Sequence, residues 1–151
     1  MRGVTYGART AVALVIVKTV PLLAFVVIGI FFVDWSRIAV IEMPAAGTLG
    51  EASLLLLFAY VGFENTPAAA GEYVNPRRDV PFALVTMILL VTMLYSGVQL
   101  VALGTLPGVA QSASPVAEAA ATFAGPVGAL VMTVAAVVSI GGNVGNTILM
   151  G

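Results

Sequence analysis

Hydrophobic residues in this chain fall in long runs separated by short polar connectors, a pattern that predicts membrane-spanning helices. A bilayer core of about 30 Å needs roughly 20 apolar residues in helix, because hydrocarbon offers backbone N–H and C=O groups no other partner. Residues 11–33, 82–103 and 126–150 meet that length with few charges. Residues 52–71 differ: an apolar stretch ending at Phe63 gives way to Glu64, Asn65, Thr66 and Pro67. Gly62 loosens the helix there, Glu64 places a charge at depth, and Pro67 withholds an N–H from the preceding turn, so this second span is predicted to be discontinuous. In the connectors, Asp79 and Pro81 suit the first turn of the third helix. Asn75-Pro-Arg-Arg-Asp79 reads by itself as a turn with basic anchors and a helix cap. Ser114 and Pro115 suit the cap and first position of a short interfacial helix over 115–123.

Composition strengthens the membrane reading. Hydrophobic residues make up 60% of the chain and charged residues 9%, with a mean hydropathy of +1.10, which is more apolar surface than a small soluble core can bury. A net charge of −1 without basic clusters argues against a nucleic-acid partner. The absence of cysteine and histidine removes disulfides, thiol catalysis, the usual zinc ligands and an imidazole relay, leaving carboxylates or lysine for any proton chemistry. Gly141-Gly142-Asn143 lies inside an apolar run without a following Lys-Ser, so no phosphate loop is expected, nor any cofactor, metal or enzyme activity.

Arg2, Arg9, Arg77 and Arg78 fall on one side of the membrane and Arg37 on the other, which predicts a cytoplasmic N-terminus in a multi-pass protein of the plasma or inner membrane. Phe32 and Trp35 suit an outer interfacial belt. The first apolar run is too long for a signal-peptide core and reads as a mature span. The last span reaches Met150 without a polar flank, and Lys18, Glu64, Tyr95, Gln99, Ser139, Asn143 and Asn146 lie within spans. Both features predict a partial chain whose remaining helices supply partners.

The break near Gly62 and Glu64 is the first candidate site. Two half-helices would leave free carbonyls near Val61 and free N–H groups near Pro67, and these ends favour cations and anions respectively. A zwitterion such as an amino acid matches both, as at the discontinuous helices of secondary transporters. The simpler alternative is a proline-kinked span whose glutamate pairs with a neighbouring helix. Lys18 lies roughly 12 Å along the first span, where a charge costs about 2.5–3.5 kcal/mol. It is a structural cation, a titrating coupling group or a counter-ion to Glu64. In the last span Gly141 and Gly145 form a GxxxG match that points first to helix packing, and Ser139 is a candidate ion or substrate contact.

The ordered strings FAYVGFEN (58–65), AAAGE (68–72), NPRRDVP (75–81) and LYSGVQLVALGTLP (94–107) resemble the amino acid, polyamine and organocation permeases across nearly the whole chain. The resemblance implies an all-α integral membrane fold whose four spans correspond to the fifth to eighth helices of a LeuT-type inverted-repeat transporter. It further implies substrate binding by Phe58, Ala59, Val61 and Gly62 at the broken helix, with Phe58 also at a common gate position. Glu64 matches a gating or proton-coupling carboxylate, Lys18 a lysine that takes the place of a sodium ion, and Ser139 the same cation region. The implied function is part of a secondary-active amino-acid permease working by alternating access, proton-coupled or exchanging, with an amino acid or related amine as substrate. A four-span structural or accessory subunit without its own transport site is the alternative, and a channel the weaker third.

Overall fold

The computed structural model describes residues 2–38, 44–60 and 75–150. Among the described residues every regular element is helical: α1 (Arg2–Gly29), α2 (Ala46–Ala59), α3 (Pro76–Thr105) and α4 (Pro115–Met150), with 3-10 turns at Ile30–Phe32, Trp35–Arg37 and Val109–Gln111. Among the described residues, three helical stretches are long and apolar enough to cross a membrane: Val15–Phe32, Pro76–Thr105 and Pro115–Gly142. The 14 residues of α2 reach only about 21 Å at 1.5 Å per residue.

Local capping explains why two helices start earlier than hydropathy alone places their spans. α3 begins at Pro76 rather than at 82, because the Asn75 carbonyl accepts the N–H groups of Arg78 and Asp79 at 3.0 and 2.9 Å. Asp79 returns the favour by accepting the Asn75 N–H at 3.2 Å, and Pro76 occupies a position that needs no donor. Asn75–Asp79 is thus the capped first turn of the helix, with Asp79 in the first turn as the sequence suggests. At α4 the Ser114 carbonyl accepts the Glu118 N–H at 3.0 Å, and the two side chains bond at 3.0 Å.

Within Pro115–Met150 two helices meet at a kink, as the sequence suggests, and the backbone records their junction at Gly125, with φ 63° and ψ −160°. That conformation is essentially restricted to glycine. A Cβ at Gly125 would meet nothing within 4 Å, so the cost of adding one is conformational rather than steric. Gly125→Ala is therefore expected to lower stability by about 1–3 kcal/mol. A thermal melt with an unchanged midpoint would show that α4 passes through this position without strain.

The chain forms two compact units, Met1–Ile38 with Ser96–Gly151, and Ala39–Tyr95. In the first, Phe25, Val33, Val101, Ala102, Ala119, Ala120 and Met132 form the buried cluster. Close approach in this unit depends on glycine. A Cβ at Gly29 would collide with the Val101 side chain, one at Gly97 would stand 2.8 Å from Val26 Cγ1, and one at Gly104 2.6 Å from Val33 Cγ1. Phe123 of α4 meets Phe25 and Phe32 at ring-centroid distances of 5.7 and 5.5 Å. The Asp34 N–H donates to the Gly104 carbonyl at 3.0 Å, tying the segment after α1 to the end of α3. By contrast, a Cβ at Gly141 would meet nothing within 4 Å among the described residues, so no packing partner for this part of the GxxxG match is seen among them.

Hydroxyls in these helices are largely satisfied by their own backbone. Thr105, Thr122 and Thr133 bond the carbonyls of Val101, Ala119 and Ala129 at 2.7, 2.7 and 2.8 Å, which suits a medium without water. In the connector after α1, Asp34 accepts from the Ser36 hydroxyl at 2.6 Å, the Ser36 N–H at 3.1 Å and Arg37 Nε at 3.0 Å. The Ser36 bonds, with a smaller contribution from Arg37, hold its carboxyl below the ordinary value of 3.8. The stabilisation from this turn is accordingly present above pH 3.8 and is lost as the pH falls through the lowered value. As the pair is solvent-exposed, its energetic weight is small.

Candidate functional site

In the unit Ala39–Tyr95, α2 stops at Ala59, close to where the sequence conflict begins. Tyr60 leaves helical geometry (φ −100°, ψ 0°), and its N–H bonds the Leu57 carbonyl at 3.1 Å, tightening the last turn. A helix end of this kind presents carbonyl oxygens and the negative end of the helix dipole, an arrangement suited to an ammonium group. Phe58 stands on this turn with 81% of its surface exposed, and Ala59 is the last helical residue. Val61, Gly62 and Glu64, together with the expected second half-helix through Pro67, lie outside the described residues.

Sequence reasoning missed one contact at this helix end. The Tyr60 hydroxyl reaches Thr92 Oγ1 on α3 at 2.9 Å, and its ring meets Tyr95 edge-on at 5.9 Å. Thr92 in turn lies 2.7 Å from the Ile88 carbonyl. The available signal was the i, i+3 placement of Thr92 and Tyr95 on one face of an otherwise apolar span.

In the other unit, an apolar groove of about 210 Å³ runs between α1 and α4, with Pro21, Phe25 and Ile28 on one wall and Phe123, Val127 and Val131 on the other. Lys18 is half-buried and precedes Pro21 by one turn on the same face of α1. Pro21 has no N–H for the Val17 carbonyl, so a backbone acceptor is released next to Lys18 in sequence. Ser139 is half-buried on α4 and follows the buried Met132 and Ala135 along one face. Both residues therefore extend the stripes through which α1 and α4 pack.

The profile of a family described as amino acid permease matches residues 1–151. The chain belongs to the amino acid permease family. It is 29% identical to the methylthioribose transporter of Bacillus subtilis over 152 residues, covering 99% of this chain and 31% of the relative. Similarity to the branched-chain amino acid permease BcaP of the same organism is 29% over 109 residues, covering 70% of this chain and 23% of that protein. With the chloroplastic cationic amino acid transporter 9 of Arabidopsis thaliana it is 31% over 122 residues, or 78% and 21% of the respective chains. This permease chain thus spans about a third or less of the length of these relatives. No solved structure gives a significant match.

Family membership makes the described helix end and the α1–α4 stripes features of a chain of the amino acid permease family. Within that frame, Phe58 and Ala59 stand together at the end of α2, while Lys18 and Ser139 stand on the packed faces of α1 and α4.

Proposed function

We propose that this chain is part of a secondary-active permease that moves an amino acid or a related amine by alternating access, coupled to protons or by exchange. The observation that carries the reading is the end of α2 at Ala59–Tyr60, within a chain matched throughout by the permease family. In this reading the carbonyl end at Phe58, Ala59, Val61 and Gly62 binds the substrate ammonium, with Phe58 beside it as a gate. Glu64 takes part in gating or proton transfer. Lys18 and Ser139 occupy the cation region, where a fixed ammonium replaces a mobile ion. The four helices then correspond to the fifth to eighth of a LeuT-type fold in the plasma or inner membrane, entered from a cytoplasmic N-terminus, and the remaining helices complete the site.

The test is uptake by the full-length transporter in proteoliposomes, with competition by branched-chain amino acids, cationic amino acids and methylthioribose, the cargoes in the relatives' names. Saturable uptake of an amino acid or amine supports the reading; failure of every such compound to enter or compete overturns it. Glu64→Gln keeps the side-chain shape and removes its titration. In a proton-coupled transporter it is expected to flatten the rise of uptake toward acid pH while leaving membrane insertion intact. A profile that superimposes on the parent's would remove Glu64 from coupling.

A further inference from the structure

We propose that Tyr60 and Thr92 form a hydroxyl latch that fixes the last turn of α2, making Tyr60 a positioning residue for substrate recognition; the proposal rests on the transport reading above. The direction of the bonds follows from proton count. The Ile88 carbonyl can only accept, so Thr92 donates its single proton there at 2.7 Å. Tyr60 must then donate to Thr92 Oγ1 at 2.9 Å. Two hydroxyls in series polarise one another, so each bond strengthens its neighbour. The edge-on contact with Tyr95 at 5.9 Å fixes the plane of the Tyr60 ring.

Two features make this a positioning device rather than general packing. First, Leu54, Leu55, Leu56, Leu57 and Phe58 are all at least 60% exposed, so burial does little to hold this turn within its unit. Second, Tyr60 is the residue at which helical geometry stops, so its side chain acts on the turn in which α2 ends. Thr92 lies about 15 Å along the helix from the first residue of the apolar run at Phe82, deep enough that water is a poor competitor for the Tyr60 hydroxyl. Loosening the latch leaves the chemistry of the carbonyls unchanged but widens the range of directions in which they point. Substrate affinity should suffer more than turnover.

The experiment uses the full-length transporter in proteoliposomes, with its best amino-acid substrate as the probe. Tyr60→Phe and Thr92→Val each remove one hydroxyl and keep the side-chain volume. Each is expected to raise KM about three- to tenfold, the scale of one interhelical hydrogen bond in a membrane, with maximal rate and membrane abundance within about twofold. Thr92→Ser keeps the hydroxyl and should restore KM. The double variant Tyr60→Phe/Thr92→Val should be no worse than either single change, because both break the same chain. An unchanged KM, effects that multiply in the double variant, or a loss of protein without a KM shift would each overturn the latch. Should Tyr60→Phe fail to accumulate, the contrast between Thr92→Val and Thr92→Ser still decides. A parent that transports nothing would remove the transport reading itself, whereas an active parent with unaffected variants removes the latch alone.

Discussion

Gly29→Leu is expected to be the most damaging single change to the fold, costing about 3 kcal/mol. The first carbon of any side chain at this position already collides with Val101 and comes within 3.2 Å of the Phe123 ring. Val101 is fully buried and cannot swing aside, and Phe123 is held between Phe25 and Phe32. Relief would require α1 to shift as a body, opening the cluster that contains Phe25, Val101 and Ala120. The measurement is the thermal midpoint of the full-length protein in detergent, with Gly29→Ala as a smaller step in the same direction. A midpoint indistinguishable from the parent's for Gly29→Leu would mean that α1 and α3 do not approach as closely as described.

The largest functional effect is expected from Lys18→Met, which removes the charge and keeps most of the apolar stem. If the Lys18 ammonium is the fixed cation of the transport site, its removal should lower uptake at least tenfold, about 1.4 kcal/mol or more. Replacing a charge with an apolar group also makes α1 easier to insert, so the amount of transporter in the membrane should not fall. The informative comparison is therefore uptake per molecule against surface abundance. Normal uptake with normal abundance would leave Lys18 as a charge without a transport role. Loss of protein in proportion to uptake would place it in folding instead.

Much of the helical layout was legible in the sequence because hydrocarbon leaves the backbone few alternatives. Apolar length located the stretches of α1, α3 and α4 that are able to cross a bilayer. Capping chemistry is more local, and it moved the start of α3 to Pro76 through the Asn75–Asp79 bonds. Gly125 shows where two elements meet. The apolar pattern resets at Gly125-Pro126, and the backbone is non-helical at the same place, so two helices join there at a kink. α2 ends at Ala59, and the break expected at Gly62 and Glu64 lies outside the described residues.

The contacts that decide the candidate site were much less legible. Tyr60 belongs to the string that carries the family resemblance, but nothing in that string pairs it with Thr92, which lies on another helix. Such a pairing is set by the distance between helices, and periodicity along one helix carries no information about it. The glycines at 29, 97 and 104 pose the same problem. Each looks like an ordinary small residue within or near a span, and only the opposing valine side chains reveal why a larger one is excluded.

The hydrogen bond from Asp34 to the Gly104 carbonyl also has a mechanical meaning. It is a crosspiece between two rods, placed at their ends, where a small tilt produces the largest displacement. With Gly104 pressed against Val33 beside it, a torque applied to α1 passes directly into the last turns of α3. Those parts behave as one lever. A force that rocks α1 must also carry this end of α3, and shear between them is resisted at the point of greatest leverage.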